Sequence, residues 1–153
     1  MSRSSAPTAE PAPAGTSAAA PDDARPDGPT AFELLGGEAR VRALVDRFYD
    51  LMDSDARFAE LRALHANSLA GSRDRLHWFL CGWLGGPQLY VERRGHPRLR
   101  ARHLPFPIDT RVRDQWLVCM LQAMVDVDVP EPLRDRLLAA FYDTADWMRN
   151  RAG

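Results

Sequence analysis

The chain has 153 residues, 45% of them hydrophobic and 27% charged, with a formal net charge of −1, which suits one soluble globular domain. That balance excludes a whole-chain field able to draw in nucleic acid, no apolar run approaches the ~20 residues that span a bilayer, and the N-terminus lacks the apolar core of a secretory signal. All 20 basic residues are Arg, which removes lysine Schiff-base and P-loop lysine chemistry. The two cysteines, Cys81 and Cys119, form neither a disulfide framework nor a Cys-x-x-Cys pair, so a reducing cytoplasmic setting is expected.

Residues 1–30 hold eight Ala, six Pro, four Ser, three Thr and two Gly, with no Leu, Ile, Val or aromatic residue. Such a segment buries too little surface to offset ~1–2 kcal/mol per residue of ordering entropy. A disordered tail is expected over 1–30 and one folded domain over 31–153. Thr30-Ala31-Phe32-Glu33 fits a capping box that opens a short helix, and Gly36-Gly37 stops it. Val41, Leu44, Val45, Phe48 and Met52 then recur at helical spacing, with Tyr49 bordering their stripe. Residues 53–68 read as a loop or short turns containing Phe58, Leu61, Leu64 and His65. Leu69, Leu76, Phe79, Leu80 and Trp83 mark the next helix, which ends at Gly85-Gly86. Each glycine pair is expected to turn the chain with positive φ. Residues 87–108 are irregular, with one short helix opening on Pro97 and stopped by Pro105 and Pro107. Asp109 or Thr110 caps a long helix through Val112, Trp116, Leu117, Met120, Met124 and Val127, which Pro130 and Pro132 break. Leu133, Leu137, Leu138, Phe141, Ala145 and Met148 form the last helix. No segment alternates with period two for long, so the fold class is all-α.

The four histidines, His65, His77, His96 and His103, raise the question of a metal. No His-x-x-x-His, His-Glu-x-x-His or Glu-x-x-His spacing is present, which argues against a zinc-hydrolase helix and a di-iron bundle. No Cys-x-x-Cys-His is present to attach haem covalently. A single-imidazole site of the haem type remains. His103 fits it best: it ends a short helix one turn after Leu99, Phe106 and Ile108 can form slot walls, and Arg98, Arg100 and Arg102 could meet ligand carboxylates. On spacing alone, the commoner role for such a histidine is a surface or capping one. His96, between Gly and Pro, reads as a cap, and His77 as exposed or half-buried. Cys81 and Cys119 read as inert buried thiols.

Phe79-Leu80-Cys81-Gly82-Trp83-Leu84-Gly85-Gly86-Pro87 followed by Gly95-His96-Pro97-Arg98-Leu99-Arg100-Ala101-Arg102-His103-Leu104-Pro105-Phe106 resembles the truncated haemoglobins, the second group in particular. The pattern continues in Arg113-Asp114-Gln115-Trp116-Leu117-Val118-Cys119-Met120 and upstream in Arg47-Phe48-Tyr49, and it covers about residues 31–150. The resemblance implies a two-on-two helical globin fold holding haem b. His103 matches the proximal iron ligand, Tyr49 the distal tyrosine and Trp116 the tryptophan that marks the second group. His65 fills the pocket position before the third helix, with Phe58 or Leu64 as alternatives. Ser72 stands where many globins have a distal histidine. Arg102 is the chosen haem-propionate partner and Tyr90 the second choice, with Leu76, Phe79 and Phe106 as further cofactor contacts.

The implied function is binding of dioxygen and other diatomic ligands, with Tyr49, Trp116 and His65 as hydrogen-bond donors to them. No residue is assigned a catalytic role. A haem enzyme working on nitric oxide or peroxide with an external reductase is the alternative, carbon monoxide is a further ligand, and a haem-free helical interaction module is a third reading. Neither a nucleic acid nor a membrane is an expected partner.

Overall fold

A computed structural model describes residues 28–152; the tail expected over 1–30 lies outside them as far as residue 27. Eight helices follow in order among the described residues: α1 (Ala31–Leu35), α2 (Glu38–Ser54), α3 (Ala59–Ala63), α4 (Ala70–Trp83), α5 (Leu89–Arg94), α6 (Leu99–His103), α7 (Thr110–Asp126) and α8 (Glu131–Trp147). No strand occurs among them. The expected capping box is present: the Glu33 N–H donates to Thr30 Oγ1 at 3.1 Å and the Thr30 N–H to Glu33 Oε1 at 2.9 Å. Asp109 caps α7 by accepting from the Val112 N–H at 3.0 Å. No helix among the described residues is long and apolar enough to cross a membrane.

The predicted stripe of α2 is the centre of the core. Val41, Leu44, Val45, Phe48 and Met52 are almost wholly buried, because α2 packs on α4 along one side and on α7 along the other, while α7 also packs on α8. Leu80, Met120, Met124, Leu137 and Phe141 supply the opposing surfaces. Fully burying such side chains stabilises by ~1.5–3 kcal/mol each.

Three local expectations are corrected. Residues 53–68 contain a continuous helical run, a 3₁₀ turn over Ala56–Phe58 leading into α3. Phe58 and Leu61 anchor it in the core, and the short apolar spacing hid that. Residues 87–108 hold two short helices rather than one. The second opens at Leu99 instead of Pro97, because the His96 ring Nδ1 accepts the Arg98 N–H at 3.0 Å and Arg98 takes φ of 49°. His77 is 6% exposed rather than half-buried, its Nε2 3.2 Å from Glu38 Oε2 across the α2–α4 seam.

The glycine pairs divide. Gly36, Gly37 and Gly85 have φ of 119°, 87° and 97°, as expected of helix ends. Gly86 does not have positive φ and is needed for space: a Cβ there would stand 2.6 Å from the Phe32 ring. The Phe32 N–H also donates to the Leu84 carbonyl at 2.8 Å, so α1 cannot easily move away. Gly86→Val is expected to lower stability by ~1–3 kcal/mol through overpacking. Thermal unfolding checks this, and part of the loss should disappear in a Phe32→Ala background; an unchanged melting temperature in Gly86→Val alone would show that the ring yields freely.

Candidate functional site

His103 is the last residue of α6 and is half-buried. Its Nδ1 lies 2.6 Å from the Leu99 carbonyl oxygen, one helical turn back. A carbonyl only accepts, so Nδ1 carries the proton, and in the neutral ring the lone pair is on Nε2. That is the arrangement of a metal-ligating imidazole, with tautomer and ring orientation set by a backbone carbonyl.

The segment after His103 is stitched to the chain's C-terminal end. Asn150 Nδ2 donates to the carbonyls of His103 and Phe106 at 3.2 and 2.9 Å, and its Oδ1 accepts from the Ile108 N–H at 3.0 Å. Arg100 adds a hydrogen bond to the Arg149 carbonyl at 3.0 Å. Sequence reasoning missed Asn150 and expected Arg100 to meet a ligand carboxylate, since pairing over more than forty positions leaves no local signal. Asn150→Ala strips three hydrogen bonds from this loop and is expected to cost ~1–3 kcal/mol. Faster hydrogen exchange at the Ile108 amide, beside a lower melting temperature, is the check; native-like exchange there would show that the loop holds itself.

Most of the sequence-predicted distal residues meet along a row of aromatic rings. Ring centroids are 6.5 Å apart for Phe79–Trp83, 4.8 Å for Trp83–Phe141, 5.4 Å for Phe141–Trp116, 5.3 Å for Trp116–Phe48 and 5.0 Å for Phe48–Tyr49. His65 closes the row 5.9 Å from Tyr49. Four helices therefore contribute, α4, α8, α7 and α2. Leu76 and Ser72 are half-buried one and two turns before Phe79 on α4. Phe58 is buried in the core, and Leu64 is half-buried beside His65.

Three donors on this row are unspent. Neither the Tyr49 hydroxyl nor the Trp116 indole N–H has a hydrogen-bond partner among the described residues. Tyr49 is 6% exposed. Burial pushes its phenol above the ordinary range, against partial opposition from the nearby Arg75 and Arg73 guanidiniums, so it stays protonated as a donor. Arg73 donates to Asp46 and Asp50 at 3.1 and 2.7 Å and stands 5.9 Å from the Tyr49 ring, tying α4 to α2 beside the phenol. Trp83 Nε1 is also buried and unpartnered.

His65 differs from its expected role as a donor. Its Nδ1 lies 2.9 Å from the Leu61 carbonyl, so Nδ1 bears the proton. Burial lowers the ring's pKa, partly offset by that hydrogen bond, with Arg62 and His103 also lowering it. The neutral ring then offers Nε2 as an acceptor. Burial likewise pushes the Cys81 and Cys119 thiols up to about 11 and about 12, consistent with inert thiols.

The remaining predicted contacts lie at the α4 end of the row or beyond it. Phe79 and Tyr90 share a cleft of about 200 Å³ between α4 and α5. The Arg102 guanidinium stands 5.9 Å from the Tyr90 ring and donates from Nε to the Pro97 carbonyl at 2.7 Å. Phe106 follows α6 and is 41% exposed.

A profile of the bacterial-like globins matches residues 30–150. The group 2 truncated haemoglobin YjbI of Bacillus subtilis is 40% identical over 120 residues, 78% of this chain and 88% of its own length. The solved group II 2-on-2 haemoglobin of Agrobacterium tumefaciens superposes with a TM-score of 0.79 at 42% identity, covering 83% of this chain and 98% of that one. The truncated oxygen-avid haemoglobin of Bacillus subtilis gives 0.74 at 38% identity, covering 80% and 100%. With a family match spanning every helix and relatives this similar, the chain belongs to the bacterial-like globins, among the group II truncated haemoglobins.

Proposed function

We propose that this globin holds haem b through His103 and binds dioxygen in a pocket whose polar groups are Tyr49 and Trp116. The observation that carries the reading is the His103 imidazole, with Nδ1–H committed to the Leu99 carbonyl and Nε2 left for iron. Haem b, when bound, supplies an iron that takes a diatomic ligand. Arg102 and Tyr90 are the proposed partners of its propionates, with Leu76, Phe79 and Phe106 as apolar contacts and Ser72 lining the distal side. The hydroxyl of buried Tyr49 and the indole N–H of half-buried Trp116 are unpartnered donors, suited to a ligand that carries partial negative charge.

The test is reconstitution of the full chain with haem. A Soret band, a five-coordinate ferrous spectrum and reversible spectral shifts with dioxygen and with carbon monoxide are expected. No Soret band would return the chain to a haem-free interaction module. The unspent donors also favour a second reading, turnover of nitric oxide or peroxide with electrons from an external reductase, because slow dioxygen release suits chemistry better than delivery. Rapid mixing of the oxygenated protein with nitric oxide and with peroxide separates the two readings.

A further inference from the structure

We propose that the arginine-rich surface of α5 and α6, around His103, is the docking site for an acidic one-electron donor protein; this rests on the haem reading above. Five of the 20 arginines, Arg93, Arg94, Arg98, Arg100 and Arg102, fall within ten residues, and no carboxylate lies between Glu92 and Asp109. The other 15 arginines share the rest of the chain with all 21 carboxylates. Ion pairing leans the same way, although Arg40 and Arg134 outside the patch also bond to backbone carbonyls. Arg42, Arg47, Arg57, Arg62, Arg73, Arg111 and Arg113 each reach a carboxylate at 2.5–3.3 Å, whereas none of the five makes an ion pair among the described residues. Arg100 bonds to backbone carbonyls, which leaves its charge uncancelled, and Arg102, bonded to the Pro97 carbonyl, borders the patch as the proposed propionate partner. Arg93 stacks 4.7 Å from the Trp78 ring. The side chains of Arg94 and Arg98 have no partner among the described residues.

The patch is more than a charge. Leu104 and Val91 are 51% and 46% exposed within it, and the contact of Arg102 with the Tyr90 ring joins α6 to α5 as one surface. An apolar spot rimmed by arginines has the make-up of a protein interface, whereas a phosphate backbone would be met by charge alone. Redox encounters are small, transient and steered by complementary charge. A partner docked here stands beside the imidazole proposed to hold the iron. The step is one electron: the donor is oxidised by one unit, ferric iron becomes ferrous, and no atom or proton changes hands.

The probe is an acidic [2Fe–2S] ferredoxin. Its oxidised form is titrated calorimetrically into the full-length haem-loaded protein, and its reduced form is mixed with the ferric protein in stopped flow. Arg93→Glu with Arg94→Glu is expected to weaken binding and slow reduction by about tenfold or more. Raising salt from about 20 to about 200 mM should act on the unsubstituted protein in the same direction. Haem content and the carbon monoxide spectrum should stay unchanged, and Arg47→Glu with Arg111→Glu, on the opposite charge region, should leave ferredoxin binding intact. Equal losses in both double variants, or no loss in the first, overturn the proposal. So does tighter binding of a phosphatidylserine vesicle or a DNA duplex than of ferredoxin. A missing Soret band refutes the haem reading alone, since titration of the same haem-free preparation still decides the surface.

Discussion

His103→Gly yields a protein that loses most of its haem during purification and recovers it when imidazole is supplied. The substitution removes the Nε2 lone pair while leaving a space that free imidazole can fill. It does so without disturbing the core, because His103 is half-buried at a helix end and, among the described residues, its side chain bonds to the Leu99 carbonyl alone. The other histidines cannot substitute for it. His77 is engaged with Glu38 across the α2–α4 seam, His96 accepts the Arg98 N–H, and His65 lies against Tyr49 at the far end of the aromatic row. His77→Ala and His96→Ala should therefore keep the Soret band in place. Absorption spectra of the four proteins after identical purification decide the matter. A normal five-coordinate ferrous spectrum in His103→Gly without imidazole would mean that another group holds the iron.

Tyr49→Phe and Trp116→Phe each speed dioxygen release, by roughly 5- to 150-fold if one donor contributes ~1–3 kcal/mol. Carbon monoxide release changes much less, because that ligand carries little negative charge. Both substitutions keep most of the ring packing against Phe48, so sterics change little. The two donors can serve one ligand atom, and the double variant need not show the product of the single effects. His65→Leu in the Tyr49→Phe background should add little to dioxygen release, because the neutral ring has its proton on the Leu61 side. Stopped-flow measurement with both gases is the check. Equal acceleration of dioxygen and carbon monoxide would make the two side chains steric gates and sink the hydrogen-bonding account.

Local chemistry was legible without a structure wherever one residue settles its neighbours' geometry. Thr30 and Glu33 satisfy each other's backbone over three residues, and Asp109 caps α7 in the same way. The apolar stripe of α2 repeats with the helix and so points at its own burial. His103 could be placed at a short helix end from Leu99, Phe106 and Ile108, but spacing alone favoured a capping role, and its candidacy as a ligand came from the resemblance of the segment around it.

What the chain leaves open locally was decided by contacts between distant segments. Gly86 looked like a turn glycine and is instead the floor beneath Phe32, some fifty positions away. His77 looked half-exposed until α2 laid Glu38 and its own side chains over it. The clamp of Asn150 on the loop after His103 joins residues more than forty apart. The physical reason is the same throughout. Hydrogen bonds within a turn and helical periodicity act over a few residues and are written in them, whereas a Cβ clash, a long-range clamp or a buried pair exists only once the helices have packed.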